Sequence, residues 1–192
     1  MERPAGVGCE TPPLGVPVWL PEIPWPAVPY VPGQSPRPSQ RAAAAHGLPP
    51  AWLSDPPVPW WRCRGYLRGL DLFNHGDYWE AHEAWEAVWH VAGRQGPTAE
   101  LLKGLIKLAA AGVKTRAGSW RGRRRHCRRA VALFRRLAER ESPAETPAGW
   151  LGLSPERLAQ LAAEAAEEEP FAPPAADRQA FRFPLVPATS GD

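Results

Sequence analysis

Cysteine is scarce in this sequence, and the three that occur, Cys9, Cys63 and Cys127, show no CxxC spacing. An odd, scattered set argues against a disulfide framework and a zinc knuckle, and it makes the cytoplasm the expected location. Long apolar runs are missing too. No stretch of 18 or more apolar residues exists, so no membrane-spanning helix and no membrane partner are expected. The start, MERPAGVGCETPP, is too proline-rich for the basic-then-apolar pattern of a signal peptide. No RNA-stacking sheet or recognised DNA-binding motif can be read either, so any contact with nucleic acid is expected to be non-specific. A length of 192 residues sets one modest domain with tails.

Proline is abundant, but only at one end: residues 1–60 hold 16 of the 25. That density blocks helix and central strand alike, so residues 1–58 read as an extended arm. Trp19, Leu20, Ile23, Trp25, Val28, Tyr30 and Val31 are more apolar than a free linker needs. An arm strapped across a folded domain would use them.

From residue 59 to residue 169 the pattern is helical, and the expected fold class is all-α, a compact bundle of about five helices. Tyr66, Leu70 and Phe73 stand at i, i+4 and i+7, a first helix with Arg62, Arg64 and Arg68 outward. Asn74-His75-Gly76 supplies a left-handed stop. Asp77 with Glu80 three residues on reads as a capping box, and the turn and the cap together account for Asn74, Asp77 and Glu80. A second helix then runs from about Tyr78 to Val91. Gly96-Pro97-Thr98 opens a third, which Gly118 ends; Gly104 and Ala109 to Ala111 suit close helix contact. Ser119 caps a fourth with the stripe Cys127, Ala130, Val131, Phe134, Leu137 and Ala138. Ser154-Pro155-Glu156 starts a fifth, and residues 170–192 read as a tail. Gly-bounded turns before the second and fourth helices give the chain the look of tetratricopeptide hairpins, although an array needs at least three repeats.

The second helix holds the most unusual chemistry. Stepping about 100° per residue places His82 and Glu86 inside an arc of Tyr78, Trp79, Trp85 and Trp89. Ala81, Ala84, Ala87 and Val88 occupy the opposite side, small enough for close helix contact. A His and a Glu within an aromatic face need partners, because burying them unpaired is costly. At i and i+4 the pair can hydrogen-bond, seat a small ligand or bind a divalent metal, with Glu83 next to it as a candidate catalytic base. His75, Asp77, His90, His126 and Cys127 are candidates for the further ligand a metal site requires.

The run FNHGDYWEAHEAWEAVWH, followed by KGLIKLAAAGVKTRAGSWRG, resembles the bacterial and archaeal family called domain of unknown function 309. Leu72, Phe73, Asn74, Gly76, Tyr78, Glu80, Ala81, His82, Glu83, Glu86 and Trp89 carry the likeness, with Gly104, Leu105, Ile106, Leu108, Ala109 and Ala110. It covers roughly residues 66–137. The resemblance implies a small all-helical fold and no particular activity. Tyr30-Val31-Pro32-Gly33, Pro36 and His46-Gly47 are similar to the amino-terminal extension of some members, with Arg37 where His is expected.

Charge is distributed unevenly. Residues 62–140 carry 17 Lys and Arg against 7 Asp and Glu, whereas residues 141–192 carry 3 against 9. Arg121 to Arg136 includes eight arginines, a cationic helix face suited to weak polyanion or RNA binding, and the acidic flank is expected to fold back on it. Two functional readings stand side by side. One is a helical binding module that holds a small ligand or protein partner through His82, Glu83, Glu86, Trp89 and Lys114, in a chain that can also form a homo-oligomer. The other is a metal-dependent hydrolase in which His82 and Glu86 bind a divalent ion and Glu83 acts as base.

Overall fold

The computed structural model describes residues 15–26, 28, 30–34, 60–140, 151–168 and 179–188. It is all-α. Among the described residues a 3-10 turn, Trp60–Arg62, leads into five helices: α1 Arg64–His75, α2 Tyr78–Val91, α3 Gly96–Arg116, α4 Trp120–Ala138 and α5 Pro155–Glu167. None of them is long and apolar enough to cross a membrane.

Each helix packs on the next in sequence. Between α2 and α3, Tyr78 lies over Gly112, and at the far ends of the pair Trp89 and Lys103 line one cavity. Between α3 and α4, Phe134 lies over Gly104 and Lys114 lies against Gly122. Both pairs are therefore antiparallel, as short connections favour. Tyr66, Leu70, Phe73, Trp85, Leu101, Leu105, Leu108, Phe134 and Leu137 form the fully buried centre.

Close approach explains the glycines at 69 and 104. A Cβ at Gly69 would fall on the indole of Trp85, and one at Gly104 on the ring of Phe134. Gly104→Ala is therefore expected to destabilise the protein by a net ~2 kcal/mol, an overpacking cost near the top of the usual range, about 3 kcal/mol, less the roughly 1 kcal/mol by which alanine favours a helix. Urea unfolding measures this, and an unchanged midpoint would refute the close packing of α3 on α4.

Several local expectations are corrected. Arg68 is buried instead of facing outward, because its Nη2 donates to the Pro24 carbonyl at 2.7 Å and its guanidinium lies 5.5 Å from the Trp25 ring centre. Ser119 and Asp77 occupy N-cap positions without a side-chain cap bond, whereas Ser154 does accept from the Arg157 N–H. Asp77 instead meets His75 at 2.7 Å. Asn74 accepts from the Leu185 N–H and donates to the Leu185 carbonyl, at 2.8 and 2.9 Å. Residues 179–188 form a strap, not a loose tail, with Ala180, Phe181 and Leu185 buried; residues 170–178 and 189–192 of that expected tail lie outside the described residues, as do Cys9 and residues 35–59.

The described part of the arm lies along α1 and α2. Asp71 accepts the N–H groups of Trp19 and Leu20 at 2.8 and 2.9 Å, and Glu80 accepts that of Tyr30 at 2.9 Å. Burial pushes both carboxyls up, against the downward pull of those N–H bonds. Trp25 stacks on the His75 ring, with centres 4.1 Å apart, and Tyr30 meets Trp79 edge-on.

Candidate functional site

The turn after α1 sets the phase of α2. Gly76 adopts φ 94°, the Asp77 N–H bonds to the Leu72 carbonyl at 2.8 Å, and the Gly76 N–H bonds to that of Phe73 at 3.1 Å. This double bond pattern closes α1 and starts α2 within one residue. Helical periodicity then turns Ala81, Ala84, Trp85 and Val88 inward. Trp85 reaches α1, where its Nε1 donates to the Tyr66 carbonyl at 3.2 Å.

The next face round the helix holds His82, Glu86, Trp79 and Trp89, all half-buried, with Glu83 exposed beside them. No hydrogen bond joins His82 to Glu86, and the pair stands at the rim of the bundle instead of its interior. Trp85 takes the interior place. His82 stacks beside Trp79, with centres 6.0 Å apart and planes 11° from parallel. Its Nδ1 is 3.6 Å from Glu83 Oε1, too far for a hydrogen bond, so that buried nitrogen has no hydrogen-bond partner among the described residues. The Trp89 Nε1 is buried and unpartnered in the same way. One donor atom from each of His82, Glu83 and Glu86 lies within 4.8 Å of the others, a spacing that a single divalent ion can span.

The other ligand candidates are distributed elsewhere. His75 and Asp77 are both buried and bound to each other under Trp25. His90 is exposed, its ring against Trp89. Cys127 lies in the core, and burial pushes its thiol up to about 11; burial also raises Cys63. The residue whose donor atom does lie with those of His82 and Glu86 is Glu83, adjacent in sequence.

A groove runs beside this face. Helices α2 and α4 both pack on α3, and the outer stripe of α3 between them is Lys103, Lys107, Ala110 and Lys114, exposed or half-buried. Lys107 feels the charges of Glu86 on one wall and Arg129 on the other. At one end, a cavity of about 350 Å³ lies between Trp89, Lys103 and Leu133. That end also carries Glu100, paired with Arg136 and Arg140. Towards the other end stand His126 on α4 and Lys114 on α3. The lysine stripe was visible in the sequence; its convergence with His126 and Arg129 required the α3–α4 pairing.

The face of α4 beyond the groove meets the acidic flank. Arg123 pairs with Glu168, Arg128 with Glu167 at 3.1 Å, and the Arg124 Nε donates to the Ala166 carbonyl at 3.1 Å. Arg121, Arg125 and Arg129 have no carboxylate partner among the described residues.

Residues 66–126 match the model of the family described as Domain of unknown function (DUF309), which bears out the resemblance seen in the sequence. The matched stretch runs from Tyr66 on α1 to His126 on α4 and takes in the floor of the groove and parts of both walls. No curated protein and no solved structure matches the chain.

Proposed function

We propose that the domain is a binding module whose groove between α2 and α4 holds a small ligand, anchored by a divalent cation on His82, Glu83 and Glu86. Trp89 and Lys114 lie along the same groove. The observation that carries this reading is the gathering of three donor atoms within 4.8 Å on a face that solvent reaches. All three come from one helix, which leaves the groove side of the ion open to atoms of the ligand. The buried Nδ1 of His82, without a hydrogen-bond partner among the described residues, is a nitrogen that an ion would satisfy. Binding is favoured over covalent catalysis because both described thiols are buried and held above the ordinary thiol range.

A hydrolase would use the same residues. Its support is Glu83, whose side chain is 49% exposed and stands beside His82, where a base could reach water.

Calorimetric titration of metal-stripped protein with Zn²⁺ and Mn²⁺ tests the proposal. One ion should bind per chain. At a free concentration of about 100 Kd, it should add roughly 2.7 kcal/mol of stability. His82→Ala and Glu86→Gln should each abolish most of that gain. Absence of both heat and stabilisation in the wild type would remove the cation site. Metal-dependent ester hydrolysis that disappears in Glu83→Gln would favour the enzyme.

A further inference from the structure

We infer that the opposite side of the groove is a binding site for a phosphate-bearing small molecule, built from Lys107, His126 and Arg129 with Lys103, Lys114 and Arg125 around them. Three of these residues stand on α3 and three on α4, and antiparallel packing of the two helices brings them to one place. None of the six side chains has an ion pair or hydrogen bond among the described residues. Arg123, Arg128 and Arg136 on the same helix do have carboxylate partners.

The arrangement is electrostatically costly as it stands. Lys107 is half-buried and its ammonium is pushed down, first by burial and then by Arg129 and Lys103, with only Glu86 opposing. His126 is also half-buried. Burial, together with Lys107, Arg125, Arg129 and Lys114, depresses it to about 4, so a neutral imidazole sits among four cations. Its Nδ1 is buried without a hydrogen-bond partner among the described residues. A dianion at this point relieves the repulsion and offers acceptor oxygens to the guanidinium, the ammoniums and the ring. Its charge favours the protonated imidazole, so binding should raise the His126 pKa.

The surroundings select a compact ligand over a polymer. The facing wall carries Glu83 and Glu86, and Glu100 stands at the end of the groove. An extended phosphate backbone laid along the groove would meet these carboxylates, whereas one phosphate group against α3 and α4 would not.

The test uses the full-length protein with inorganic phosphate and pyrophosphate as probes. EDTA is present throughout, so that a cation on His82 plays no part and failure here is separate from failure of the cation site. Calorimetry gives affinity, and nitrogen-15 NMR of the imidazoles follows His126. Saturating phosphate should raise the His126 pKa by at least about one unit. Lys107→Met and Arg129→Met should each weaken phosphate binding at least tenfold, while Arg157→Met, on α5, should leave it unchanged. An unmoved His126, or affinities within twofold of wild type in both groove variants, would overturn the inference. So would a ten-nucleotide oligothymidylate that binds far more tightly than pyrophosphate and shifts His126 equally, because the surface would then be reading a nucleic-acid backbone.

Discussion

Replacing Arg123 with alanine should lower the stability of the protein by about 3 kcal/mol, the low end of the cost of breaking a buried charge pair, because the guanidinium is buried while Glu168 is only partly so. The Arg123 side chain is 1% exposed and ties three segments together. Its Nε donates to the Ala165 carbonyl at 2.9 Å, near the end of α5, where helix carbonyls lack intrahelical partners. Its Nη1 donates to Thr115 Oγ1 on α3 at 3.0 Å and to the Ala180 carbonyl of the strap at 2.6 Å, and its Nη2 meets Glu168. Phe181 covers the guanidinium at 5.0 Å. Alanine leaves these carbonyls and the carboxylate without a donor and opens a void beneath Phe181. Arg123→Met restores volume but not hydrogen bonds, so it should fall between alanine and wild type. Urea unfolding measures all three, and a loss below about 1 kcal/mol for alanine would show that the strap and α5 stay in place without this residue.

Removal of residues 1–34 should cost at least about 3 kcal/mol and expose apolar surface to dye. Leu20 and Val31 are buried in the intact protein, and complete burial of such side chains is worth roughly 1.5–3 kcal/mol each. The truncation also leaves Asp71 and Glu80 without the backbone N–H groups they accept. Asp71→Ala in the full chain isolates the polar part, with an expected loss of about 1.5–3 kcal/mol for bonds to a charged acceptor. Identical melting temperatures for the truncated and intact proteins would show that the arm contributes nothing to the fold.

Helix positions were legible because the apolar spacing, Gly76, Gly118 and Ser154-Pro155 all mark the same boundaries. Polar residues inside the core were harder. Arg123 stands four residues before Cys127 and so continues the stripe of Cys127, Ala130, Phe134 and Leu137. It reads as one more arginine in a basic run until the strap and α5 supply its partners. Asn74, Asp77 and Glu80 suit turn chemistry by type and spacing. Their actual partners are Leu185, His75 and Tyr30, separated from them by 111, 2 and 50 residues respectively. Side-chain spacing within a helix cannot reveal the two long-range pairings.

The candidate site was legible in its members and not in its depth. His82 and Glu86 share a face, as their i, i+4 spacing demands. Three neighbouring tryptophans suggested a buried face, but only Trp85 fills the α1 contact while Trp79 and Trp89 remain half-exposed. An aromatic arc wider than the helix interface leaves part of itself at the rim, and the His–Glu pair lies on that part.

Anomalous X-ray scattering at the zinc edge, from crystals of the full-length protein grown with Zn²⁺, addresses the binding site most directly. The account predicts a peak within about 2.0–2.2 Å of a His82 nitrogen and carboxylate oxygens of Glu86 and Glu83. Zinc-bound crystals with no peak on that face of α2 would contradict it.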